Sequence, residues 1–191
     1  MTSAATASEP GITRNDRTLL RDLAQRVEEI AALPVQAERK ELWTAHNSLR
    51  PCRPMMLIFP EGAWQELLPA ETCQCETEPA RRIEGQLRRH IYQHEHFADD
   101  TVVEAVWPVR KVVHNTGWGL QPKRIASTET RGAWLFDPVI KTPADLEKMH
   151  APEIAYDERA TRERLTLFQE LFGDILDVDR KSTRLNSSHY S

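Results

Sequence analysis

The chain has 191 residues, with 25 basic against 29 acidic, a formal net charge of −4 and 40% hydrophobic residues. That is enough apolar content for one core of ordinary domain size, and the acidic balance argues against nucleic acid or an anionic membrane as the main partner. The opening MTSAATASEPGITRND lacks a charged start followed by an apolar stretch, so it reads as neither a secretory signal nor an anchor, and residues 1–15 are expected to form a disordered lead. Three cysteines, Cys52, Cys73 and Cys75, are an odd number and fit a reducing, cytoplasmic setting better than a disulfide framework.

From Asp16 onward, Leu19, Leu20, Leu23, Val27, Ile30 and Ala31 recur at helical spacing, with Thr13, Asn15 and Asp16 as available caps and Pro34 ending the run. A second amphipathic helix is expected over 36–49, with Leu42, Ala45 and Leu49 on one stripe. Arg50-Pro51 should stop it, because the residue before proline is pushed out of helical geometry. Residues 55–59, MMLIF, are five consecutive apolar residues bounded by Arg53-Pro54 and Pro60-Glu61-Gly62, which predicts a strand buried on both faces. Residues 64–68 make about one helical turn. Pro79 then suits the first turn of a long helix to about Phe97, with Ile83, Leu87, Ile91, His94 and Ala98 on its buried stripe.

A second strand is expected over 101–109, TVVEAVWPV, completing a strand, helix, strand unit of an α/β protein. RKVVHNTGWGL and RGAWLFDPVI read as two extended runs across a polar stretch, 121–130, and predict an inserted hairpin. Thr142-Pro143-Ala144-Asp145 is a helix start, with a threonine cap and an acidic residue three positions later. Another helix should begin near Asp157 and end at Gly173 in a left-handed cap, followed by a strand starting over 174–178. Residues 179–191, DRKSTRLNSSHYS, have no apolar periodicity and resemble a common sequencing adapter translated in frame as DRKSTRLNSSH. They are treated as a non-native tail, which leaves 16–178 as a partial domain interrupted in mid-fold.

The order of landmarks resembles the uroporphyrinogen decarboxylase-like superfamily. It is carried by Trp43 with Asn47, Arg53-Pro54, Arg82 with Glu84, Asp99-Asp100, Gly117-Trp118-Gly119 and Thr142-Pro143-Ala144-Asp145-Leu146. The resemblance implies an α/β fold, the truncated N-terminal portion of a (β/α)8 barrel, with a helical lead and an inserted β-hairpin. It implies an enzyme when full length, a methyltransferase working with a corrinoid protein or similar methyl carrier or a decarboxylase of a porphyrinogen or other cyclic acid; the alternative from another class is a barrel that binds a ligand without catalysis. Zinc and a corrinoid are the cofactors implied for the whole protein, with metal ligands outside this chain. True porphyrinogen decarboxylases follow the first strand with an arginine-rich loop, whereas here PEGAWQE follows it and no arginine lies between Pro54 and Ala80.

Residues just past the carboxyl end of a barrel strand face the site, which makes Glu61 the candidate catalytic carboxylate and Trp64 a stacking residue for a small-molecule substrate. The alternative is a solvated glutamate and a tryptophan that plugs the barrel mouth. Glu104, in an apolar strand, contacts substrate if it points inward and is a rim charge if it points outward. His114, Asn115 and Trp118 are placed to cover the pocket or to pack. His90, His94 and His96, with Cys73 and Cys75, make an incomplete metal-binding pattern that reads first as structural.

Overall fold

The computed structural model describes residues 11–121, 123–128, 133 and 135–181. Helix α1 (Arg14–Ala31) is capped by Thr13, whose hydroxyl accepts from the Asp16 N–H while the Asp16 carboxylate accepts from the Thr13 N–H. This reciprocal pair satisfies two donors that a helix start otherwise leaves open. Leu20, Ala24, Val27 and Ile30 then line one buried face at helical spacing.

Helix α2 (Pro34–Asn47) starts with proline in its first turn and closes before Pro51 is reached. Arg50 N–H donates to Ala45 C=O and Leu49 N–H to His46 C=O, with Leu49 at φ +54. That is the closure usually made by a left-handed glycine.

Helix α3 (Trp64–Leu67) follows a short 3-10 turn at Glu61–Ala63, and helix α4 (Glu78–His96) buries Ala80, Ile83 and Leu87. Strand β1 (Val106–Arg110) alternates buried Trp107 and Val109 with exposed Pro108 and Arg110. It shares a two-stranded sheet with β6 (Asp177–Lys181). The Asp177 N–H donates to Ala105 C=O, so the two strands start side by side and run on in the same direction. The last turns of α5 (Glu158–Phe172) supply Phe168 and Phe172, whose rings lie 5.3 and 5.1 Å from that of Trp107. Gly173 does not take the expected left-handed conformation. Glycine is needed there because a Cβ would fall 2.6 Å from the Gln169 carbonyl oxygen.

The chain divides into two compact units, one of residues up to Val109 with Leu165–Asp179, the other centred on Arg110–Arg164. Among the described residues, every buried apolar residue belongs to the first unit, where α1, α4, β1, the end of α5 and β6 enclose one core. In the second unit, β2 (Val112–Asn115) pairs antiparallel with β5 (Ile154–Asp157), and β3 (Lys123–Ile125) pairs antiparallel with β4 (Leu135–Asp137). The expected inserted hairpin is therefore two separate ladders. The first extended run pairs with a strand near Asp157 that periodicity does not flag, and the second pairs with residues of the polar stretch. Thr142 and Asp145 form the expected cap, on a 3-10 turn at Pro143–Lys148.

Two further expectations are corrected. Residues 55–59 form no strand, and Met56, Leu57, Ile58 and Phe59 are all exposed, Phe59 by 74%. Apolar side chains alone make no strand where no neighbouring strand completes a ladder. The second expected strand is extended from residue 101 but enters a sheet only at Val106. The structure is mixed α/β without a closed barrel among the described residues. Within the expected tail, 179–181 belong to β6, while 182–191 and the lead over 1–10 lie outside the described residues. No helix among the described residues is long and apolar enough to cross a membrane.

Leu49 is 94% exposed, so its side chain contributes no packing to offset its left-handed backbone. Leu49→Gly is expected to stabilise the protein by about 0.5–1 kcal/mol, the cost of that conformation less the greater chain entropy of glycine. Chemical denaturation with an unchanged m-value checks this, and a destabilised variant refutes it.

Candidate functional site

The densest polar arrangement surrounds the extended segment before Glu61. Arg53 grips Asp100 through two nitrogens, at 2.8 and 2.5 Å, and the Met56 N–H donates to the same carboxylate at 2.9 Å. Asp99 accepts from the Ile58 N–H at 3.0 Å, from Gln93 Nε2 at 2.7 Å, and from the Thr101 N–H and hydroxyl. Trp43 Nε1 donates to the Asp100 carbonyl and Arg39 to the Thr101 carbonyl. Asp99 and Asp100 are 4% and 6% exposed, so these bonds form where water competes little. The Arg53 guanidinium, and after it the Met56 N–H, hold the Asp100 carboxyl well below the usual carboxylate range.

Asp99 and Asp100 organise this region, a role that the sequence analysis did not assign to them. Three polar signals were available: two adjacent acids after a helix, an arginine before an apolar run, and a glutamine on the helix between them. Their pairing was not visible, because 41–47 residues separate the partners. The acceptor capacity of both carboxylates is taken up by donors, so the pair is suited to holding the chain and not to accepting a proton.

Glu61 follows this segment, exposed, at φ +48. Trp64 is half-buried and packs on the last turns of α4, with its ring 5.9 Å from Tyr92 and 6.1 Å from Phe97, and the Arg89 guanidinium 5.5 Å above it. That end of α4 leads towards the start of the next strand, opposite the end where an α/β protein builds its site. Glu104 pairs with Lys40 at 3.0 Å, both side chains more than half exposed, as a rim charge would. Among the described residues, no hydrogen bond, ion pair or ring contact joins Glu61, Trp64 and Glu104.

His114 and Trp118 belong to the second unit. His114 Nε2 lies 3.4 Å from Asp157 across the β2–β5 ladder, and the Asp157 carboxyl is lowered by the Ala160 N–H and by His114. The exposed Trp118 offers its carbonyl to the His150 N–H. Gly119, at φ +81, brings the backbone so close to His150 that a Cβ would sit 2.6 Å from the ring. An open cleft of about 570 Å³ runs along α2, lined by Lys40, Glu41, Arg50 and Cys52 among others, and none of the candidate residues lines it.

Among the described residues, no group of three His, Cys, Asp or Glu side chains is placed to hold a metal. His94 contacts Gln36, and His96 stacks on Tyr92. Burial first, and then Glu84, push the Cys75 thiol up, away from the thiolate that binds zinc. These residues do not fit a zinc centre.

No family model, curated protein or solved structure matches the chain.

Glu84, fully buried, accepts from the Gln74 and Cys75 N–H groups and from Arg88, and so fixes the loop that buries Cys75. In the native protein a thiol reagent is expected to label Cys52 and spare Cys75. Glu84→Ala leaves both N–H groups without their acceptor and should speed Cys75 labelling by about tenfold or more. Equal labelling of Cys75 before and after the substitution would refute the role of Glu84.

Asp100, whose folded-state pKa is depressed, stabilises the fold above the ordinary carboxylate range, and that contribution is lost as pH falls through and below it. The melting temperatures of the native protein and Asp100→Asn should therefore differ most near neutral pH and converge towards pH 2, read by thermal scans across pH. A gap that stays constant would mean that the pair carries no ionic stabilisation.

Proposed function

We propose that the intact protein is a uroporphyrinogen decarboxylase-like enzyme that transfers a methyl group with a corrinoid protein or similar methyl carrier, and that this chain is the N-terminal part of its (β/α)8 barrel. The observation that carries the reading is the pairing of Arg53 with Asp100. Residues that carry the resemblance, Trp43, Arg53, Asp99 and Asp100, meet in one network at the start of the chain leading to β1. In a barrel, that face serves stability, which suits carboxylates whose acceptors are taken up. The parallel β1–β6 pair, with the end of α5 packed on Trp107, supports the α/β reading.

The choice of methyl transfer over decarboxylation rests on charge. A polycarboxylate substrate needs several cationic partners, no arginine lies between Pro54 and Ala80, and Arg53 is engaged by Asp100. One observation favours a third reading, a barrel that binds a ligand without catalysis: every buried side-chain polar atom among the described residues already has a partner. Under the methyltransferase reading, zinc would supply thiol activation from ligands elsewhere, and this chain contributes Glu61, the first exposed carboxylate after the 55–59 segment.

The test is the longer gene and its product. A His-x-Cys pair and a later cysteine downstream, together with methyl transfer from a methylated corrinoid protein to a thiol followed by corrinoid absorbance, are expected. Glu61→Gln should then lower kcat more than it lowers the melting temperature. Downstream basic residues with carbon dioxide release from a cyclic acid would overturn the reading in favour of the decarboxylase, and neither activity would leave the binding barrel.

A further inference from the structure

Residues 48–77, between α2 and α4, include a single buried residue, Cys75. Apolar burial therefore does little to hold this stretch to the core, and carboxylates hold its backbone instead. At one end Asp100 accepts from the Met56 N–H at 2.9 Å and Asp99 from the Ile58 N–H at 3.0 Å. At the other, Glu84 accepts from the Gln74 and Cys75 N–H groups at 2.9 and 2.8 Å, and Asp16 from the Glu76 N–H at 2.6 Å and the Thr77 hydroxyl at 2.9 Å. The Met56 and Cys75 carbonyls take bonds back from the Asp100 N–H and from Arg81. Asp16, Glu84, Asp99 and Asp100 are each 6% exposed or less. Between the two ends, the half-buried Trp64 rests on α4.

We propose that residues 53–77 are a strap that protonation of these four carboxylates releases, while the core of α1 beyond its first turn, α4, β1 and the end of α5 stays packed. A carboxyl group that gains a proton loses its charge and part of its acceptor capacity, so bonds from two or three donors cannot all be kept. The core is joined by apolar contacts, which carry no proton to gain. The charged groups facing the four are Arg53 and Arg39 at Asp100 and Arg88 at Glu84, and arginine keeps its charge throughout. Asp16 and Glu84 also face the Cys75 thiol, which burial keeps protonated. Among the described residues, no hydrogen bond or ion pair joins a histidine to any of the four. Burial opposes the charge of Asp16 and Glu84, yet their donors hold both carboxyls below the ordinary range, as Arg53 does for Asp100. With depressed folded-state values, these groups fasten the strap fully above the ordinary carboxylate range, and the fastening is lost as pH falls through and below it. Glu61 and Trp64 lie on the strap, so both leave with it. The inference does not rest on the methyltransferase reading, because the fastening bonds are all made within this chain.

Residue-resolved amide exchange on the unaltered 191-residue chain tests this, with each rate divided by that of an unstructured peptide at the same pH. Between pH 5 and pH 3, protection at Met56, Ile58, Gln74, Cys75 and Glu76 should fall by about tenfold or more, since the opening constant rises roughly tenfold per pH unit for each carboxylate that gains a proton on release. Amides inside the helices, such as those of Val27 and Leu87, should keep their protection over the same range. Glu84→Gln should speed exchange at Gln74 and Cys75 already at pH 5 and make it less dependent on pH. Unchanged protection of the five amides at pH 3, their loss in step with Val27 and Leu87, or an undiminished pH dependence at Gln74 in a folded Glu84→Gln variant would each overturn the proposal.

Discussion

The first unit depends on how its chain crosses from α2 to α4. Residues 54–58 have apolar side chains and a backbone that no strand ladder receives, so their hydrogen bonds must be met another way. Asp99 and Asp100 meet them: one carboxylate accepts from Met56, the other from Ile58, while the Asp100 N–H returns a bond to the Met56 carbonyl. Arg53 then neutralises the charge that would be costly beside a core. Remove the two acids and the segment has neither a ladder nor caps. The position of Gln93 on α4 ties the same arrangement to the helix packed on α1.

What the sequence made legible follows from how local the determining interactions are. Thr13 with Asp16 and Thr142 with Asp145 are three residues apart, and both caps form as the pattern predicts. The helices over 14–31, 34–47 and 78–96 each carry a buried stripe or a proline start that one sequence shows by itself. Strands depend on a partner that the local pattern does not contain. Residues 55–59 look more strand-like than Ile154–Asp157, yet only the latter finds a ladder, because Val112–Asn115 lies beside it.

The candidate site was legible in residue type and illegible in arrangement. Glu61 remains an exposed carboxylate after an apolar segment, as expected. The surroundings of Trp64 depend on two residues of α4, Arg89 and Tyr92, and on Phe97, 25–33 positions away, and its indole is spent on packing. Glu104 is drawn outward by Lys40, a residue whose proximity no spacing rule announces. The second unit shows the same limit from the other side: its exposed Trp118, Leu135, Phe136 and Ile154 have the hydrophobicity of core residues, but two-stranded ladders offer them no second layer.

Asp16 closes the N-terminus of α1 and, with the same carboxylate, accepts from the Glu76 N–H and the Thr77 hydroxyl immediately before α4. One side chain thus terminates one helix and receives the chain into another sixty residues later. Fraying at the start of α1 cannot then be a private event of that helix, since losing the cap also releases the lead into α4. The two ends should open together, with a common free energy in amide exchange, and the lead into α4 is as stable as the first turn of α1.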